Sequence, residues 1–125
     1  MGVQYRTPLF AGPKDINFCL YEGGVTLSAG VKGDIVVSKE LTIYKYDLIG
    51  EPAAGNLSVN INYLLLSAFP AAFALLQNIA LAAAQKVAVT PAAPVVVAAG
   101  TVLQFEVTGS PTVLTTATVH LQTTP

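Results

Sequence analysis

The chain has 125 residues, enough for one domain with a real core, and 53% of them are apolar against only 10% charged. The formal net charge is −1, with no basic patch of the kind a nucleic-acid partner requires. A single cysteine, Cys19, excludes an internal disulfide framework and a thiolate metal cluster, and reads as a small buried hydrophobe in a strand.

Residues 1–16 contain Pro8, Gly12 and Pro13, hold no lasting period, and read as an extended N-terminal arm. Leu9 and Phe10 are its candidates for docking on a neighbour. The stretch MGVQYRTPLFAGPKD has no basic segment followed by an apolar one, so no signal peptide is expected. Residues 17–125 are then the folded domain. Asn17–Tyr21 is a candidate strand closed by Glu22-Gly23-Gly24, and Val25–Leu27 a second short one.

Gly33 to Ile61 carries the clearest signal. Ile35–Val37 and Leu41–Ile49 read as strands, with a β-bulge expected at Leu48-Ile49, where two apolar residues fall side by side. Within the second strand, Tyr44 and Tyr46 are expected on one face. Gly50 to Asn56 is a turn-forming loop. Leu57, Val59 and Ile61 then alternate with Ser58, Asn60 and Asn62, the period of a strand with one buried face.

Tyr63–Ala84 is 22 residues without charge, long enough for a membrane span. Pro70, Gln77 and Asn78 interrupt it and no basic flank orients it, so no membrane partner is expected. Pro70 at a first helical position, followed by Ala and Leu, suggests a short helix near residues 71–77. Val87–Thr90, Val95–Val97, Val102–Val107 and Val113–Gln122 complete the strands, the last with Ala117, Val119 and Leu121 on one side. Spaced strands, Gly/Pro turns and Val/Thr enrichment predict an all-β sandwich or jelly roll of about eight strands.

No catalytic motif is present. His120, the only histidine, opposes the apolar face of its strand, and no partner lies near it in sequence for metal or acid–base work. Asp15, Glu22, Asp34, Glu40, Asp47 and Glu51 fall mostly at turns and strand ends, where solvated charge is the default. The glycines form no phosphate loop. Tyr5, Tyr21, Tyr44, Tyr46 and Tyr63 would suit a sugar-binding face, but the absence of tryptophan and the pull of core packing weigh against it. No enzyme activity, cofactor or metal is expected. Charge is also unevenly spread: apart from Lys86 and Glu106, every charged residue lies at or before Glu51. A solvated surface normally displays more charge than the second half can, which points to burial against copies of the chain or a partner.

Several segments together resemble a family of small β-sandwich domains in virion proteins of tailed bacteriophages. They are Gly30-Val31-Lys32-Gly33-Asp34-Ile35-Val36-Val37, Leu41-Thr42-Ile43, Leu57-Ser58-Val59-Asn60-Ile61, Ala68-Phe69-Pro70 and Ala98 to Val107. The chain departs from the family at Thr101, where an Asp is usual, and in the Ala/Leu-rich stretch after Pro70. The resemblance implies a capsid decoration or cement protein, on the virion surface and made in the host cytoplasm. It would bind the major capsid protein and itself, as a homotrimer. Contact residues would be Leu9, Phe10, Phe69, Phe73 and Leu76. The alternatives it implies are a tail-fibre, spike or baseplate component, or a carbohydrate-binding module of the same fold.

Overall fold

A computed structural model describes residues 15–124. In chain order the strands are β1 (Ile16–Tyr21), β2 (Gly30–Val37), β3 (Leu41–Glu51), β4 (Gly55–Leu65), β5 (Ala74–Ala84), β6 (Lys86–Val89), β7 (Val95–Val97), β8 (Thr101–Thr108) and β9 (Thr116–Thr124). They form an all-β sandwich of two antiparallel sheets. One sheet runs β1-β9-β3-β6, with β7 following β6 along the same edge of β3; the other runs β2-β8-β4-β5. The chain changes sheets at most connections, so strands distant in sequence become neighbours. β1 lies beside β9, and β2 beside β8.

Alternation sets which side chains meet between the sheets. In β9, Ala117, Val119 and Leu121 are buried while Thr118, His120 and Gln122 face outward, as the sequence predicts. β8 contributes Leu103, Phe105 and Val107, and β4 contributes Leu57, Val59 and Ile61. Each such side chain, fully buried, is worth about 1.5–3 kcal/mol. At the β1–β2 side the Phe18 ring stacks on Phe105, centroids 4.3 Å apart, and covers Gly33. A Cβ at Gly33 would lie 2.6 Å from the Phe18 ring, so the glycine of the Gly-Val-Lys-Gly-Asp run makes room for an aromatic ring between the sheets.

Several sequence expectations are corrected. Cys19 lies in β1 but is exposed, not buried. The helix near residues 71–77 is absent: β5 begins at Ala74 and pairs with β4 along its length, and the one helical turn among the described residues is a 3-10 turn at Leu66–Ala68. Pairing there overrides the helical propensity of Ala and Leu, because β5 can place Ile79 and Leu81 in the core at a spacing of two. The bulge in β3 falls between Ile43 and Lys45 instead of at Leu48-Ile49. It sends Tyr46 and Leu48 into the core and leaves Ile49 and Tyr44 outside, so the two tyrosines do not share a face. Val25–Leu27 is not a strand; Leu27 plugs the core end beside Leu114, donating its backbone N–H to the Leu114 carbonyl at 2.9 Å. β9 starts only at Thr116, because Val113 takes a left-handed turn (φ 53°) that drives Leu114 inward. No helix among the described residues is long and apolar enough to cross a membrane.

Candidate functional site

Two surface features stand apart from ordinary sandwich packing, an apolar end and a charged belt. The apolar end follows from register. Tyr63 pairs with Leu103 and Leu65 with Thr101, and cross-strand partners share a face. Leu103 and Thr101 are buried, yet Tyr63 and Leu65 are 41% and 46% exposed. The core therefore opens to solvent where β4 runs out. The opening is a groove of about 370 Å³ between the end of β4, Leu76 of β5, and Val95 to Ala98 with Thr101.

Near this groove Leu66, Phe69 and Val96 are also exposed, from 48% at Phe69 to 61% at Val96. No charged residue lies between Glu51 and Lys86 or between Lys86 and Glu106, so the elements forming this end offer no charge to their surroundings. Exposed apolar side chains gathered at one end of a domain mark an interaction surface more often than scattered single residues do. Of the five contact candidates, Phe69 is exposed and Phe73 half-buried, their rings meeting edge to face at 5.6 Å. Leu76 lines the groove. Leu9 and Phe10 lie outside the described residues. Sequence reasoning missed Tyr63, Leu65, Leu66 and Val96. The signal was the run Leu64-Leu65-Leu66, since adjacent strand residues cannot all face one core.

The charged belt crosses the outer face of the first sheet. β9 sets His120 opposite Asp47 of β3, while Asp15 sits just before β1. The His120 Nε2 lies 2.9 Å from Asp15 Oδ2, and its Nδ1 3.0 Å from Asp47 Oδ2. Ionised carboxylates only accept, so the two contacts favour the imidazolium, in which both ring nitrogens donate. The Asp15 hydrogen bond is the largest cause of the raised His120 pKa, with Asp47 adding to it and burial opposing. Asp15 is lowered in turn, first by His120 and then by the Thr123 N–H at 3.2 Å. Gln122 donates to Asp47 at 3.2 Å, and the Lys45 ammonium stands 3.9 Å from it.

In the imidazolium form both nitrogens are committed to Asp15 and Asp47. The arrangement fastens Asp15 to the sheet. No group of His, Cys, Asp and Glu among the described residues is placed to hold a metal ion.

The remaining polar clusters serve the scaffold. Ser28 donates through its N–H and hydroxyl to Glu22, and Lys32 pairs with the same carboxylate at 2.9 Å. Together, Ser28 first, they pull Glu22 down to about 2. Lys32 and Gly33 of the Gly-Val-Lys-Gly-Asp run thus fix the β1–β2 connection. On the second sheet, Asn62 donates to Gln104 and Glu106, and Asn78 to Ser58 and Asn60. Tyr21 and Tyr44 are exposed but at opposite ends of the first sheet, Tyr21 beside Thr116 and the Tyr44 hydroxyl beside Thr124. They form no shared stacking platform.

Comparison of the chain with protein-family models, with curated proteins and with solved structures found no match.

Proposed function

We propose that the protein is a non-enzymatic structural component of a tailed-bacteriophage virion. It would sit on the capsid as a decoration or cement protein, bind the major capsid protein and stabilise the shell. The observation that carries this reading is the apolar end formed by Leu65, Leu66, Phe69 and Val96, in a part of the chain without charge. The strand order supports it further: first beside last and second beside next-to-last is the order of a jelly roll, a fold common in capsid proteins. The sequence resemblance points the same way.

In this reading the molecules assemble as a homotrimer, with Phe69, Phe73 and Leu76 near the contact. An interface burying about 1,500 Å² is of standard size, and at ~25 cal/mol per Å² of apolar area its repetition over a shell reinforces the shell. A tail-fibre, spike or baseplate position is the rival, and copy number separates the two. A carbohydrate-binding role is disfavoured by the separation of Tyr21 from Tyr44 and the burial of Tyr46.

The test is co-sedimentation with capsid shells assembled without this chain. Leu66→Asp combined with Phe69→Asp should leave the β-sheet circular dichroism intact and weaken shell binding at least tenfold, because an unpaired charge would be buried in the contact. Unchanged binding by this variant would refute the apolar end as the contact.

A further inference from the structure

The groove beside β4 has a candidate occupant in the chain itself. Its walls are core-facing residues: Tyr63 and Leu65 share the inner face of the second sheet with buried Leu103 and Thr101, and Val97 of β7 is itself buried. What the groove lacks is a side chain to complete the core. An apolar cavity of ~150 Å³ already accepts one benzene ring, so a groove of about 370 Å³ has room for an aromatic side chain and a neighbour.

The chain before Asp15 contains apolar residues for this purpose, Leu9 and Phe10 among them. It also starts from the right place. Asp15 accepts the Thr123 N–H; Thr123 pairs with Ile43, and Ile43 with Val95 on the groove wall. Three strand spacings of about 4.8 Å put the groove wall about 14 Å from Asp15. Phe10 lies five residues before Asp15, a reach of about 17 Å at ~3.3 Å per residue. The His120 clamp fixes the point from which that segment departs.

We infer that the groove lined by Tyr63, Leu65, Leu76 and Val96 is the docking site for residues 1–14 of the same chain, with Phe10 as the side chain that fills it. Tethering favours the chain's own segment over a second copy, because a short linker holds it at an effective concentration in the millimolar range. The inference does not depend on a capsid location and holds for the isolated molecule.

The test is the rate of thiol alkylation by iodoacetamide in the full-length chain, with Cys19→Ser removing the native thiol. Leu65→Cys, on the inner face at the groove and 46% exposed, reports on the groove. Val31→Cys, 52% exposed on β2, is the reference. Each rate is divided by that of the same variant in urea. Docking predicts that Leu65→Cys reacts at least tenfold more slowly than Val31→Cys at every protein concentration. Adding Leu9→Asp and Phe10→Asp should restore the reference rate. Equal rates at the two positions would overturn the inference, as would protection that survives the two Asp substitutions. Protection lost on dilution would also overturn it, assigning the groove to a second copy.

Discussion

Gly55 is the position where the structure makes its sharpest demand on sequence. A Cβ there would stand 2.5 Å from the Thr112 carbonyl oxygen, 2.8 Å from Val113 Cγ2 and 3.0 Å from Leu114 Cγ. The first is about 0.9 Å short of ordinary contact at 3.4 Å, and its partner is backbone. That backbone cannot easily retreat. Thr112 donates its N–H to the Asn56 carbonyl at 3.1 Å, and Asn56 donates its N–H to the Thr112 hydroxyl at 3.1 Å. Leu27 and Thr115 add N–H···O bonds of 2.9 Å to the Leu114 and Glu51 carbonyls. Gly55→Ala must therefore break the two Asn56–Thr112 bonds, each worth about 1 kcal/mol net, or overpack Leu114 at a cost of about 1–3 kcal/mol. The expected loss is about 2 kcal/mol, a large fraction of a domain's stability. In urea, with a slope of ~2 kcal/mol/M, the midpoint falls by about 1 M. Gly109→Ala is the control: Gly109 has φ 75° but nothing within 4 Å, so it costs only the left-handed strain of about 1 kcal/mol. A Gly55→Ala midpoint shift no larger than that of Gly109→Ala would refute the account of a pinned loop.

Two further predictions concern polar groups. Tyr46 is fully buried, its hydroxyl has no hydrogen-bond partner among the described residues, and burial pushes its pKa up to about 12. Tyr46→Phe removes an unsatisfied donor without opening a cavity and should stabilise the fold by about 1 kcal/mol; a urea midpoint below wild type would contradict this. His120 gains its proton's stabilisation from the folded state, so its contribution is complete below the ordinary value of 6.5 and is lost as pH rises through the higher folded value. Asp15, lowered from 3.8, contributes above that value and loses its share as pH falls through the lower folded one. The belt is therefore strongest between these limits. Because both groups are partly solvated, the drop from pH 6 to pH 8.5 should be no more than about 1 kcal/mol, and His120→Gln should abolish it in urea titrations across that range.

The sandwich was legible wherever one face of a strand is apolar and the other polar. β4, β8 and β9 declare themselves through Leu57-Val59-Ile61, Phe105-Val107 and Ala117-Val119-Leu121. β5 did not, because Ala80 and Ala82 on the exposed side are as apolar as Ile79 and Leu81 on the buried side, and alanine favours a helix until β4 supplies a pairing partner. The Tyr44 bulge was hidden for a related reason: a Tyr-Lys-Tyr run can place either ring inward. At the surface, Phe69, Phe73 and Leu76 were named from sequence as contact candidates, and of these Leu76 lines the groove; the open end of the core itself depends on how β4 ends against its neighbours. His120 could not be joined to its partners from sequence, since Asp47 and Asp15 lie 73 and 105 residues away.

The central claim, a capsid-surface location through the apolar end, is tested most directly by cryo-electron microscopy of the particle that contains this chain. The account predicts sandwich density at every repeat of the shell lattice, three copies about each local three-fold, with Leu66 and Phe69 turned toward the shell. Density confined to the tail or its fibres, or on the shell with that end facing solvent, would contradict it.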